Sequence, residues 1–490
     1  MDSNERRGRT ACFVRSDNGC LRALVIVAGI CWSALFVLVG LYYRLELYAD
    51  GSLFSYAVAV RDSWGFHWHN ISGRLFVHLF SHVPAELYAA FGADAHGAIA
   101  LYGLLFFAAQ LLGLLATFAA DRSQGRILFC FACLSTAALC PVVFGFPTET
   151  WMTHALFWPT LALCHYARTG FAGILIVFVA LLALMFTHEG ALIFTLTILF
   201  TLALRGWRDP ALHRAVAAFF VVLPIWAAVK VMLPPDDYTG AELHLLARHV
   251  FDPRIITADL MLLLLGALAA YALAFLALRP LAPARAHLHA AAIVAAGLGS
   301  YWLWFDHALH ADNRYYLRTV ILVLTPAFGI LAALFALHAE GRLKPPFPVP
   351  RLLLEARAGE AMARTAIGAL LLVMLIHAVE TAKFVAAWES YKDAVRTLAV
   401  GTTSDPALGD ARFASSQHIS PSDNRLAWSS TTHFLSVLLA PSLAPARLVI
   451  DPDARYFWIT CERAKASEAA DAAIPAQSRA LVRVHACLHR

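Results

Sequence analysis

Long apolar runs alternate with short polar breaks along most of the chain, and the runs have the length a bilayer demands. A helix crosses the hydrocarbon layer with about 20 mostly apolar residues. About eleven segments fit that requirement. They are Leu21–Tyr43, Gly97–Ala119, Ile127–Phe146, Trp151–Ala167, Phe171–Thr187, Ala191–Leu204, Ala215–Leu233, Leu260–Leu278, Leu288–Phe305, Leu317–His338 and Thr365–Phe384. The fifth and sixth are short and share one apolar run, interrupted by Thr187-His188-Glu189-Gly190. That break reads as a tight re-entry turn; the alternative is one long tilted helix with a buried charge.

The breaks alternate in charge. The N-terminal tail holds Arg6, Arg7, Arg9 and Arg15. Residues 121–126 hold Arg122 and Arg126, residues 205–214 hold Arg205, Arg208 and Arg214, and residues 279–285 hold Arg279 and Arg285. Residues 341–364 hold Arg342, Lys344, Arg351, Arg357 and Arg364, with several prolines. Every second loop is therefore basic, which by the positive-inside rule places the N-terminus in the cytoplasm. With an odd number of spans the C-terminal tail is extracytoplasmic. The first span is too long for a cleaved signal and lacks a small-residue cleavage site.

Composition agrees: the 490 residues are 60% hydrophobic and only 14% charged, against about a quarter charged in soluble proteins. The expected fold is an all-α polytopic membrane protein of about 11 transmembrane helices with a small C-terminal extracytoplasmic α/β domain. Residues 1–20 form the cytoplasmic tail, 21–387 the transmembrane domain with a structured first outer loop over 44–96, and 388–490 the C-terminal domain. In that domain 431–440 reads as helix, and 447–451, 456–461 and 480–486 as strands. Cys461 and Cys487 stand there in an oxidising compartment, and a disulfide between them is plausible. No internal repeat, P-loop or dinucleotide fingerprint is present, and no nucleic-acid partner is expected.

The first outer loop is the richest stretch. Asp50-Gly51-Ser52 is a helix N-cap signal, followed by Leu53, Phe54, Ala57 and Val58 on one face. A second helix starts near Gly73, with Leu75, Phe76, Leu79, Phe80 and Val83 on its apolar side and Arg74, His78 and His82 on its polar side. Pro84 should end or kink it. Both helices read as interfacial, with a polar edge turned inward. Asn70-Ile71-Ser72 is a sequon that arises often by chance.

The run Asp50-Gly-Ser-Leu-Phe-Ser-Tyr-Ala-Val-Ala directly after the first span resembles the acidic opening of the first outer loop in GT-C glycosyltransferases. These are polytopic enzymes that take a sugar from a polyprenyl-phosphate donor. Trp68-His69-Asn70-Ile71-Ser72-Gly73-Arg74 resembles the Trp-then-Gly-Arg pattern of bacterial O-antigen glucosyltransferase-like membrane proteins, and the His188-Glu189 turn is similar to a feature of that group. The resemblance covers about three quarters of the chain. It implies that Asp50 is the catalytic base or holds a metal. Many such enzymes pair two acids here, whereas Asp50 is followed by Gly51; Glu46 is then the partner, or there is none.

Sugar transfer from a lipid phosphate needs a carboxylate to deprotonate the acceptor hydroxyl and cations to neutralise the leaving phosphate. Asp50 is the base candidate, and N-capping is its structural alternative. Substrate or phosphate candidates are Arg74, Arg314, Arg318, His188, Glu189, Glu149 and His78. Arg314 and Arg318 share a helix face at the start of the tenth span, where snorkelling is the alternative. Glu189 suits a cavity wall or a buried hydrogen bond. His154 lies at another outer end, and Lys230 is either a phosphate ligand or a snorkelling residue. No cofactor is required. A divalent metal shared by His78 and His82 at i, i+4 would need a third ligand that the sequence does not show in register.

The expected activity is therefore glycosyl transfer from a polyprenyl-phosphate-linked sugar to an envelope glycan or lipid acceptor at the extracytoplasmic face. The alternatives are a transporter or flippase, or a polymerase or ligase, of lipid-linked glycans. Transporters tend to show repeats and midplane charges, and neither is evident here.

Overall fold

The structure, a computed structural model, describes residues 17–61, 63–64, 74–92, 94–139, 149–232, 259–282, 285–301, 316–344, 360–401, 413–424, 426–428, 431–443 and 445–451. These are mostly helical. Each apolar segment read from the sequence overlaps a helix: α1 (Asp17–Tyr42), α4 (Ala95–Ala120), α5 (Ile127–Leu139), α6 (Glu149–Tyr166), α7 (Phe171–Met185), α8 (Ala191–Ala203), α9 (Pro210–Met232), α10 (Asp259–Leu278), α11 (Ala286–Tyr301), α12 (Tyr316–Ala339) and α13 (Glu360–Val400). Between α1 and α4 lie α2 (Asp50–Ala59) and α3, which runs from Leu75–Val77 through a π-turn, His78–His82, into Val83–Ala90.

Among the described residues five helices are long and apolar enough to cross a membrane: the bodies of α1, α4, α9, α12 and α13. The other helices that match apolar segments run 13 to 20 residues. The segment shared by the fifth and sixth runs is two helices, not one. Helix α7 ends at Met185, α8 begins at Ala191, and Thr187–Gly190 lies in the turn between them.

The centre of the bundle is α4, packed on α1, α6 and α2. Close approach of α4 and α6 depends on Gly113, because a Cβ there would sit 2.4 Å from the Ala155 carbonyl oxygen. A buried polar clasp accompanies it. Gln110 donates to the Trp151 carbonyl (2.7 Å), and its amide oxygen meets His154 Nδ1 (2.9 Å), whose Nε2 meets Ser135 Oγ (2.8 Å). His154 thus ties α4, α5 and α6 together. Side chains such as Leu38, Phe220, Leu268 and Leu375 face outward, as expected where lipid is the solvent.

One correction concerns the loop between α1 and α4. The N-cap of α2 is Ala49, and Asp50 is its first helical residue, so Asp50 does not act as the cap. At Pro84 the helix changes pitch without ending, the second of the two outcomes expected there. The π-turn immediately before Pro84 provides the local change of pitch that a proline without an N–H demands, and the helix continues to Ala90. Helix α3 is inverted relative to a soluble amphipathic helix. His78 and His82 are buried, whereas Leu79, Leu87 and Tyr88 are exposed.

Helix α13 has 41 residues, about 60 Å at 1.5 Å per residue, and runs unbroken past Trp388 to Val400. The chain beyond it contributes β1 (Phe413–Ser415), α14 (Pro421–Asn424), α15 (Thr432–Leu439) and β2 (Leu448–Ile450). The two strands pair in parallel, and α15 packs on α2, α13 and β2. The expected helix at 431–440 and strand at 447–451 coincide with α15 and β2. The expected strands at 456–461 and 480–486, Cys461, Cys487 and the 70–72 sequon lie outside the described residues.

Gly113→Ala should therefore lower the thermal unfolding midpoint of the detergent-solubilised protein by several degrees, since overpacking a close helix contact costs about 1–3 kcal/mol. Gly266→Ala, where no heavy atom lies within 4 Å of the added Cβ, should leave it unchanged or raise it. Equal effects at both positions would contradict the packing described.

Candidate functional site: a buried ion cluster beside Asp50

Four charged side chains from four separate segments meet at one end of the bundle. Arg74 precedes α3, Glu149 opens α6, Glu189 lies in the α7–α8 turn, and Lys230 is near the end of α9. Arg74 spreads its fork between two carboxylates: Nη1 lies 2.9 Å from Glu149 Oε2 and Nη2 2.8 Å from Glu189 Oε2. Lys230 Nζ donates to Glu189 Oε1 at 2.6 Å. All four are largely buried, with side-chain exposures of 17% for Arg74, 5% for Glu149, 13% for Glu189 and 16% for Lys230.

The backbone explains how Arg74 reaches Glu189. The Phe76 N–H donates to the Phe186 carbonyl at 3.1 Å, which pins the start of α3 to the α7–α8 turn. Below the turn, the Thr153 and Thr187 hydroxyls meet at 2.8 Å and fix α6 to the same level. Burial works against ionisation of Glu189, but Arg74, His188 and Lys230 outweigh it and hold the carboxyl well below its usual range. Burial likewise works against the Arg74 cation, and Glu149 and Glu189 more than restore it.

His188 plays a lesser part in the ion pairing. Its Nδ1 accepts the Gly190 N–H at 2.9 Å, which leaves the ring proton on Nε2 in the neutral form. Nδ1 also lies 3.9 Å from Glu189 Oε2, so it is the protonated ring that adds to the pull on this carboxylate.

Asp50 belongs to the same neighbourhood. Tyr102, on α4, lies within electrostatic reach of Glu149, Asp50 and Glu46. His82 packs edge-on to Phe54, one turn along α2 from Asp50, and tilts against Tyr102 at 5.0 Å. His78 stacks on His82 at 5.7 Å, so both imidazoles turn inward. Burial, with the His78 ring next, lowers the His82 pKa to about 3. Two buried donors here have no protein partner among the described residues: Arg74 Nε and the Tyr102 hydroxyl. Each can donate to a ligand oxygen or water, a state they share with other buried donors of the bundle such as Trp151 Nε1 and Trp158 Nε1.

The turn that presents Asp50 is strained. Arg44 (φ 56°) and Ala49 (φ 52°) both occupy positive φ without being glycine, at a cost of order 1–3 kcal/mol each. The C-terminal segments hold this turn. Thr431 Oγ1 donates to the Ala49 carbonyl at 3.0 Å, and Ser52 Oγ bridges the Ala49 and Thr431 carbonyls. From α13, Trp388 Nε1 and Lys392 Nζ both donate to the Tyr43 carbonyl at 2.9 Å.

The structure thus brings together Arg74, Glu149, Glu189, His188 and Lys230, with Asp50 and His78 nearby. Arg314 lies outside the described residues, as does the side chain of Arg318, in the first turn of α12. Among the described residues no group of three or more His, Cys, Asp or Glu is placed to hold a metal ion. Sequence reasoning missed Tyr102, whose only signal was a lone tyrosine in an apolar run, and gave Glu46 a minor place. Compared with protein-family models, curated proteins and solved structures, the chain matches none.

Two outcomes follow. Arg74→Ala leaves two buried carboxylates short of a partner and should destabilise the protein by about 3–5 kcal/mol, seen as loss of monodisperse protein or a large drop in unfolding midpoint. Arg74→Lys should recover part of this, because a point charge cannot hold both carboxylates with a fork. Glu46 gives a pH signature. It is 3% exposed, and burial raises its pKa from 4.5 to about 7, against the lowering effects of its backbone, Arg44 and Lys392. A folded pKa above the unfolded one means stability is greatest below pH 4.5 and falls as pH rises to about 7, by about 3 kcal/mol in all. Glu46→Gln should flatten that decline and leave the variant more stable than wild type at pH 8. An unchanged pH dependence would show that Glu46 is not the titrating group.

Proposed function

We propose that this chain is a GT-C-like membrane glycosyltransferase. It transfers a sugar from a polyprenyl-phosphate donor to an envelope glycan or lipid acceptor at the extracytoplasmic face of the inner membrane, with about eleven spans and the C-terminal segments over the site. The supporting observation is the convergence of Asp50, the two unpartnered buried donors and the Arg74–Glu149–Glu189–Lys230 cluster at one end of the bundle.

In this reading Asp50 accepts the proton of the acceptor hydroxyl. The acceptor oxygen forms a bond to the anomeric carbon as that carbon's bond to phosphate oxygen breaks, and the polyprenyl phosphate departs with the electron pair. The cluster as it stands is neutral, two cations against two carboxylates. A donor phosphate therefore gains stabilisation by taking the Arg74 Nε–H and competing with a carboxylate for the fork. Arg314 and Arg318 are further cations for the same phosphate. The site requires no metal in this scheme, and His78 serves as packing against His82.

The alternative of a transporter or polymerase keeps the buried ions but gives Asp50 no chemical role. Asp50→Asn is therefore the discriminating variant. At unchanged membrane abundance it should abolish one envelope sugar modification, seen by mass spectrometry of glycans and glycolipids, to the same extent as deletion of the gene. A glycan altered by deletion but intact in Asp50→Asn would favour a flippase, polymerase or ligase. No altered glycan in the deletion strain would remove the glycosyltransferase reading.

A further inference from the structure

Glu46 lines a second candidate site whose walls are distinct from the ion cluster. A groove of about 640 Å³ runs between the end of α1, the turn at Leu45–Leu47, the end of α3 and the start of α4. Arg44, Glu46, Tyr88 and His96 line its polar end, and Leu41, Ala100, Leu101 and Leu104 line the rest. None of Asp50, Arg74, Glu149, Glu189 or Lys230 lines it.

The polarity of the groove follows the helices. His96 and Gly97 belong to the first turn of α4 and Leu104 lies two turns further along, about 10 Å at 1.5 Å per residue. Leu41 likewise lies inside the end of α1. The groove is thus polar where the helices begin or end and apolar where they enter the span. Leu104, Tyr42, Leu38 and Tyr88 are exposed beside it, so it opens sideways toward the space that lipid fills.

Its polar end is built to receive an acceptor-rich head. Arg44 lies 3.6 Å from Glu46 Oε1 and keeps a third of its side chain exposed. The first amide of α4 in reach, Gly97 N–H, is already taken by Asp94 at 2.7 Å, so recognition falls to side chains. Glu46 is 3% exposed, yet among the described residues its Oε2 has no hydrogen-bond partner. The α4 backbone allows it that close: a Cβ on Gly103 would stand 2.9 Å from the Glu46 Cβ. In its protonated form the Glu46 carboxyl is a donor rather than a repelling charge, and its raised pKa favours that form.

We propose that this groove is a binding site for a membrane glycerophospholipid. The anionic phosphodiester pairs with Arg44 and His96 and accepts a hydrogen bond from Glu46, and one acyl chain lies along Leu41, Ala100, Leu101 and Leu104. The ligand class follows from the order of cation, donor and apolar wall along one open groove. A soluble phosphate would leave the apolar wall unused, and an uncharged lipid would offer Arg44 and His96 no anion. Because Arg44 and Ala49 are the two strained residues of the turn that leads to Asp50, an occupied groove also steadies that turn.

The test is native mass spectrometry of the full-length detergent-solubilised protein, titrated with phosphatidylglycerol, diacylglycerol (which lacks the phosphodiester) or glycerol 3-phosphate. Wild type should bind phosphatidylglycerol at least about tenfold more tightly than diacylglycerol, as expected for a charge-assisted contact. Millimolar glycerol 3-phosphate should not displace it. Arg44→Gln, and independently Ala100→Trp, which fills the groove from an exposed position, should each weaken phosphatidylglycerol binding about tenfold or more while the protein stays monodisperse. Arg44→Lys should restore part of the affinity. Unchanged binding in both Arg44→Gln and Ala100→Trp would show annular lipid only and overturn the assignment. Full displacement by glycerol 3-phosphate would make it a phosphate site rather than a lipid site. Equal affinity for the two lipids would remove the role given to Arg44.

Discussion

The arrangement of this bundle turns on one buried guanidinium. Arg74 cannot sit among apolar helices as a lone charge, since the desolvation penalty for an unpaired ion amounts to several kcal/mol even after relaxation. It is held by Glu149 and Glu189 together, and Glu189 by Lys230 as well. Those residues come from the start of one helix, a turn between two others and the end of a fourth. Satisfying one cation therefore sets four segment ends at a common level, which apolar packing, being non-directional, does not do by itself. The Phe76–Phe186 backbone bond and the Thr153–Thr187 hydroxyl pair reinforce that level. The gain from such a cluster lies in register more than in net stability, because replacing buried ions with packed apolar groups is often neutral or favourable.

The second constraint is the turn before α2. Two non-glycine residues at positive φ would relax in an isolated loop. Here Thr431, Ser52, Trp388 and Lys392 hold the carbonyls on either side. Chain segments nearly four hundred residues apart thus share one small corner, and Asp50 stands at its exit. This explains why α13 continues so far past its apolar part: the extension carries Trp388 and Lys392 to Tyr43 and provides the platform on which α15 packs.

Much of the helical framework was legible because lipid leaves long, unambiguous apolar runs. The polar candidates were legible for the same reason, since Glu189 and Glu149 stand out in such a background, and the inward polar edge of α3 showed in the four-residue spacing of Arg74, His78 and His82. What was not legible depended on tertiary pairing. A capping motif at Asp50-Gly51-Ser52 promised a cap at Asp50, but Thr431, far away in sequence, moved the helix start to follow Ala49. The three-residue β1 carries too little pattern to be seen, and it exists through pairing with β2. The significance of Tyr102 and Glu46 lies in which neighbours they have and lack, and a linear pattern does not encode that.

The ion cluster also limits what chemistry this end of the bundle can perform. Among the described residues its two cations face two carboxylates. An anion that reaches Arg74 or Lys230 therefore competes with a carboxylate, which it would leave in a poorly solvated place. Such an exchange favours a ligand that brings its own compensation: a sugar with hydroxyl donors for the freed carboxylate, next to a phosphate that accepts from Arg74 Nε. A bare anion offers no donors, and a neutral glycan offers nothing to the arginine. On the function proposed above, the pairing within the cluster would let Glu149 and Glu189 contribute to ligand choice as much as Arg74.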